Sequence, residues 1–127
     1  MAAYGATLLR LILGVVFLMH AYLAVVVFGF GGMVGYQAKN GVPFPELATV
    51  YLILAHGLGG VCLVIGLFTR WAALANAVVM LRALLFVHLK NGFWAHSSPS
   101  GYEYVLVLLV VSLAVAMIGG GALALRR

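Results

Sequence analysis

The sequence predicts an all-α integral membrane protein, a single domain of four transmembrane helices with both termini in the cytoplasm. Two observations support this fold class directly. The chain is 66% apolar and only 7% charged, whereas soluble domains are about 25% charged. It also contains four apolar stretches close to the roughly 20 residues that a helix needs to cross a membrane. These predicted spans cover residues 7–30, 47–68, 71–89 and 102–125.

The first two predicted spans are separated by a glycine-rich stretch that is typical of a loop. Arg10 and His20 are the only ionisable residues in span 7–30. Residues 31–41 contain several glycines, which are poor helix formers, so we expect a loop there. Pro45 then marks the start of the second helix, where proline is tolerated because its missing N–H has no helical partner.

The remaining spans are delimited by short polar segments. Thr69 and Arg70 form the connection between the second and third spans. Residues 90–101 combine glycine, proline and serine with interfacial aromatics and therefore predict a loop. Orientation follows from the short flanks, because Lys and Arg favour the cytoplasmic side. Arginines 10, 70, 126 and 127 lie on the side of the termini, whereas Lys39, Lys90 and both acids lie opposite.

Charge and cysteine content restrict the possible partners and metals. The net charge of +5 comes from scattered basic residues, which argues against nucleic-acid binding and in favour of contacts with lipid head groups. We expect Arg10 and Arg70 to serve as such membrane anchors. Cys62 is the only cysteine, so an internal disulfide and a cysteine-based metal site are excluded. The histidines lack close helical spacing, and no metal site is predicted.

Polar residues inside the predicted spans are the main functional signal, because they are costly in a membrane. At about 1.5 Å per residue, His20, His56, Arg82 and Ser112 are predicted to lie at a similar depth near mid-membrane. His88 and His96 are predicted to be interfacial or loop residues. We therefore take His20, His56 and Arg82 as candidate ligand-binding residues; the alternative is a polar cluster that only holds the helices in register.

No cofactor follows from these residues with certainty, and two candidates remain open. A quinone head group has two carbonyl oxygens, to which His20 and His56 would donate hydrogen bonds while Arg82 stabilises developing negative charge. Haem b is the weaker candidate, since two histidines on facing helices can supply axial ligands.

Several short motifs, in order and spacing, resemble those of the DoxX family of small four-helix bacterial membrane proteins. They are Leu9-Arg10-Leu11 with Gly14 and Phe17, Met19-His20, Gly41-Val42-Pro43-Phe44-Pro45, Gly59-Gly60, Gly66-Leu67-Phe68-Thr69-Arg70, His88 before Asn91-Gly92-Phe93, and Gly101-Tyr102-Glu103-Tyr104. The resemblance implies a multi-pass protein of the bacterial cytoplasmic (inner) membrane that is associated with redox enzymes. Its relatives include subunits of a thiosulfate:quinone oxidoreductase.

Two departures from the family pattern bear on function. The family usually has Gly and a nearby Lys after the first-span His, where this chain has Ala21 to Ala24, and a Glu at the position of His56. That Glu would be the natural partner of Arg82. The first hypothesis is therefore an accessory subunit that packs with other membrane subunits of a redox or respiratory complex. The alternative is an oxidoreductase subunit that binds quinone or haem b directly.

Overall fold

Helices account for most of the chain in a computed structural model, which describes residues 1–94, 96 and 98–125. Helix α1 spans Ala2–Tyr22 and continues as a π-helical segment, Leu23–Val27; α2 spans Gly29–Lys39; α3 spans Pro45–Ile65; α4 spans Thr69–Ala83 and continues through Leu84–His88 (π) and Leu89–Asn91 (3₁₀); α5 spans Glu103–Ile118. The described residues contain no strand.

Three continuous helices are long and apolar enough to cross a membrane, namely Ala2–Val27, Pro45–Ile65 and Thr69–Asn91. Each lies within a few residues of a predicted span. The fourth apolar helix, Glu103–Ile118, is shorter at 16 residues. The all-helical class is therefore confirmed, and the crossing of the membrane by a fourth helix remains a prediction.

The loop predicted over residues 31–41 is wrong, because most of that stretch forms α2. The low helix propensity of its glycines is outweighed by tertiary packing of α2 on α3. Met33 and Gln37 are buried there. The Gln37 amide donates a 2.7 Å hydrogen bond to the hydroxyl of Thr49 on α3.

Helix α5, which corresponds to the fourth predicted span, ends at Ile118, seven residues before the predicted end at 125. Three consecutive glycines follow it, and Gly119 and Gly121 have φ of 90° and 72°, a region that only glycine adopts freely. The chain then runs across the ends of the other helices. Ala122 N–H donates to the carbonyl of Ala3 on α1 (3.0 Å).

The helices pack in the pairs α1 with α3, α3 with α4, and α4 with α5. Small residues allow the closest of these approaches, as is usual where lipid supplies no hydrophobic driving force. A Cβ atom on Gly14 of α1 would lie 3.0 Å from the carbonyl oxygen of Gly60 on α3. Leu13, Phe17 and Leu63 are buried at the same interface.

The prediction that Arg10 serves as a lipid-facing anchor is also wrong. Its side chain is only 1% exposed. The guanidinium donates to the carbonyls of Leu63 (2.8 Å) and Val64 (2.7 Å) at the end of α3 and to the carbonyl of Gly120 after α5 (2.9 Å). These carbonyls lie where helices end and lack intrahelical partners, so a buried cation is well placed there.

Arg70 makes a weaker contact of the same kind. It is exposed and donates to the carbonyls of Met117 (3.2 Å) and Ile118 (3.4 Å) in the last turn of α5. Both arginines therefore contact the ends of helices, and Arg70 in addition remains accessible to lipid head groups.

Candidate functional site

His20 and His56 come together between α1 and α3, as their predicted depth suggested. Their ring centroids are 5.8 Å apart. The His56 ring, 2% exposed, stacks on Phe17 with a centroid distance of 4.9 Å and an interplanar angle of 9°. The His20 ring stacks on Tyr104 of α5 at 6.2 Å. Four aromatic rings from three helices thus form one continuous group.

Both histidines line a cavity of about 370 Å³ between the helices, whose lining also includes the exposed residues Tyr36, Ser100 and Tyr104. Its walls are mostly apolar, with Leu52, Val79, Met80 and Leu108 among them, and it extends to Ser100 and Gly101 in the α4–α5 connection. Its volume lies at the lower end of pockets that bind small organic molecules, about 300–1,000 Å³. It can therefore hold a single-ring head group.

The structure adds Asn76, which sequence reasoning missed, as the hydrogen-bond partner of His56. Asn76 is fully buried on α4, and its Oδ1 lies 2.6 Å from Nδ1 of His56. Its Nδ2 donates to the carbonyls of Ala55 (2.7 Å) and Ala72 (2.9 Å). The available signal was an amide within an apolar span, because a buried amide needs hydrogen-bond partners.

Arg82 does not join the two histidines at one depth. Its guanidinium donates to the carbonyl of Ala48 (3.1 Å) and lies 5.9 Å from the ring centroid of Tyr51. Ala48 is eight residues before His56 on α3, about 12 Å along the helix axis. The long side chain carries its charge toward the start of α3, as arginines in membrane helices commonly do. It lines a separate, adjoining cavity of about 70 Å³.

The position of His56 also bears on the ion pair that the family pattern implies. A Glu in its place was expected to pair with Arg82. Here His56 bonds to Asn76 instead, and Arg82 takes a backbone carbonyl as its acceptor. A neutral polar pair therefore joins α3 to α4 at this level.

One residue predicted to be peripheral lines the cavity, and one predicted to be central does not. His88 is a lining residue, although the sequence suggested an interfacial or loop position for it, and Tyr104 of α5 lines the same cavity. Burial raises the pKa of Tyr36, a third lining residue, which lies on α2 outside the long spans. Ser112 is fully buried in the core, and it lines none of the cavities described here.

Fold and cavity together define the class: a small all-helical membrane protein with a histidine-lined cavity between its helices. The chain belongs to the DoxX family, whose model matches residues 5–89. It is 30% identical over 122 residues to a Bacillus subtilis (strain 168) protein named "Putative oxidoreductase CatD", across 95% of this chain and 84% of that relative. No solved structure gives a significant match.

Proposed function

We propose that this chain is a small subunit of a membrane redox complex and that its cavity binds a quinone-type head group. The observation that carries the proposal is the pair of histidine rings, 5.8 Å apart, at the wall of an apolar cavity of about 370 Å³. Apolar walls with a few converging polar groups are typical of small-molecule sites. The name of the relative as an oxidoreductase supports a redox setting.

Quinone fits the cavity better than haem b does. A quinone ring is flat and has polar atoms only at its two oxygens, which matches walls of Leu52, Val79 and Met80 around His20 and His56. A porphyrin is several times larger than a single ring and would need more room than about 370 Å³. The smaller size of the quinone head group therefore favours it.

Arg82 remains part of the proposed site as a secondary contact. Its small cavity shares the lining residues Tyr36, Leu52 and Val79 with the larger one. A ring substituent that extends from the larger cavity into the smaller one would approach the guanidinium. We expect Arg82 to affect affinity for substituted head groups more than for unsubstituted ones.

The accessory role follows from how little of the chain lies outside its helices. Two of the connections between helices, residues 40–44 and 66–68, are short, and the longest covers residues 92–102. We therefore expect flavin, metal or haem groups for electron transfer to come from other membrane subunits of the complex. In this proposal the chain holds the head group, and its partners exchange electrons with it.

We propose that the chain lies in the bacterial cytoplasmic membrane as a four-span bundle with both termini inside. Arg10 and Arg70 lie at one end of the bundle, where they contact the segment after α5. At the opposite end Lys90 donates to Asn40 (3.0 Å). This distribution supports the predicted orientation.

Reporter fusions test that orientation. We expect a fluorescent protein that matures only in the cytoplasm to be active when it is fused after the last residue. An alkaline phosphatase at the same point, active only outside, should be inactive. The reverse pattern would overturn the orientation, and the same pair of reporters inserted after Gly92 provides an opposite-side control.

Binding of a short-chain quinone to the purified protein tests the proposed function. We expect His20→Leu and His56→Leu each to weaken binding of the reduced form of a benzoquinone with a short alkyl tail by about tenfold or more, because each removes a polar contact in an apolar cavity. Titration calorimetry in detergent gives the affinity. His96→Gln is the matched control, since His96 is exposed and lies outside the cavity.

Two results would contradict the proposal. One is wild-type protein that binds neither the quinone nor its reduced form. The other is binding that His20→Leu, His56→Leu and His96→Gln all leave unchanged, which would place the ligand elsewhere. Circular dichroism of each variant shows whether it is folded, so that a loss of binding caused by unfolding is recognised.

A further inference from the structure

The three histidines that line the cavity share one hydrogen-bonding arrangement. Nδ1 lies 2.8 Å from the carbonyl of Val16 in His20 and 3.0 Å from the carbonyl of Ser100 in His88. A backbone carbonyl can only accept a hydrogen bond. In both rings Nδ1 must therefore carry the proton.

The same assignment holds for His56, although its partner is a side-chain amide. Asn76 uses Nδ2 for two carbonyl acceptors, Ala55 and Ala72. This determines the orientation of the amide, because the reversed orientation would place the amide oxygen, which cannot donate, against both carbonyl oxygens. Oδ1 then faces His56 as an acceptor at 2.6 Å. Nδ1 of His56 consequently donates.

In a neutral imidazole, one N–H leaves the other nitrogen as a lone-pair acceptor. Nε2, at the distal edge of each ring, is therefore an acceptor in His20, His56 and His88. None of these Nε2 atoms is hydrogen-bonded to a residue in the described part of the chain. This reverses the donor role expected from the sequence: a neutral His20 or His56 has no N–H left for a ligand.

We propose that the cavity prefers a ligand that supplies hydroxyl groups, a hydroquinone head group, over the corresponding quinone. The inference rests on the proposed function and specifies which oxidation state the site favours. A hydroquinone can donate an O–H to Nε2 of either ring, that of His20 or that of His56. A quinone has only acceptor oxygens, and its lone pairs would face the lone pairs of the two rings.

The other polar groups of the cavity do not cancel this preference. The hydroxyls of Tyr36 and Tyr104 can donate or accept, so they suit both oxidation states. The remaining walls are mostly apolar. The two deep histidines therefore determine the difference between the oxidised and the reduced head group.

Three ring-matched probes test the preference on the wild-type protein in detergent, without oxygen and at pH 8. They are a benzohydroquinone with a short alkyl tail, its dimethyl ether and the matching benzoquinone. The ether keeps the ring and the oxygens and replaces each O–H donor by O–CH3, and the benzoquinone lacks the donors without the added methyl groups. We expect the hydroquinone to bind about tenfold or more tightly than the ether or the quinone. Neither of those two probes can donate a hydrogen bond to the Nε2 acceptors of the histidines.

Nitrogen-15 labelling of histidine gives a second, independent readout. We expect neutral Nδ1–H tautomers for His20 and His56, and an Nε2 resonance that moves when the hydroquinone is added but not when the ether is added. Quinone or ether binding as tight as hydroquinone binding would overturn the preference and leave the proposed function intact. Failure of both quinone and hydroquinone to bind would overturn the proposed function as well.

Discussion

Replacing Arg10 with Gln is expected to destabilise the folded bundle by about 3 kcal/mol or more. Its guanidinium, 1% exposed, donates to three carbonyls from two helix ends. Hydrogen bonds from a buried charged donor contribute about 1.5–3 kcal/mol each, and acceptors left without partners in the interior add to the cost. A glutamine amide has only two N–H groups and a shorter reach, so it cannot replace all three contacts.

Unfolding by increasing SDS in mixed micelles, followed by circular dichroism, measures this loss. Arg70→Gln is the matched control, because Arg70 also donates to helix-end carbonyls but is exposed, with longer contacts of 3.2 and 3.4 Å. We expect a much smaller effect from the control, as water and lipid head groups can replace an exposed donor. Equal stability losses for the two variants would contradict a structural role specific to Arg10.

The second large effect is expected at the His56–Asn76 pair. His56→Leu leaves Oδ1 of Asn76 without a donor, and Asn76→Leu leaves the Nδ1–H of His56 without an acceptor. Each single substitution should cost about 1–3 kcal/mol, the usual penalty for a buried polar group without a partner. The double variant should cost less than the sum, since replacing both polar groups by apolar ones is often nearly neutral.

A double-mutant cycle on the same unfolding assay gives the interaction energy. We expect a favourable coupling of about 1 kcal/mol, within the range measured for hydrogen bonds between membrane helices. Additive losses would mean that the 2.6 Å contact contributes nothing measurable. Tyr51→Phe is a single-substitution control on the same two helices, because it removes a hydroxyl that donates to the Ala75 carbonyl.

The double variant also separates the two functional readings. If it remains folded and stable but no longer binds quinone or hydroquinone, the cavity is a ligand site. If it binds them as the wild type does, the histidine serves only to join α3 to α4, and the accessory role is left as the better description. Arg82 is a poor choice for this comparison, since its guanidinium bonds to Ala48 instead of His56.

How far the sequence predicted the fold depended on which interaction formed each element. Long apolar stretches predicted three helices to within a few residues, because the cost of exposing backbone to lipid favours helix wherever the chain crosses a membrane. The same reasoning failed for α2. Its glycines suggest a loop, and contacts that cannot be read from local sequence, such as Gln37 with Thr49, hold it as a helix.

The sequence predicted the positions of the two histidines in the candidate site but not the position of the arginine. Counting residues along a helix gives the depth of a backbone position, and it correctly brought His20 and His56 together. It cannot give the direction of a long side chain. Arg82 was therefore misplaced in depth, and Arg10, which looked like a flank charge, instead extends into the protein interior.

The sequence by itself determined the class of this protein: an all-helical membrane chain with few charges, whose family follows from the order and spacing of short motifs. Only the tertiary structure decided the chemistry of the cavity. Which ring nitrogen of a histidine carries its proton depends on the atom that it faces, and those atoms belong to Val16, Asn76 and Ser100. Asn76 lies on a different helix from His56, and Ser100 lies beyond the end of the helix that carries His88. Only folding brings these two residues within hydrogen-bonding distance of their histidines.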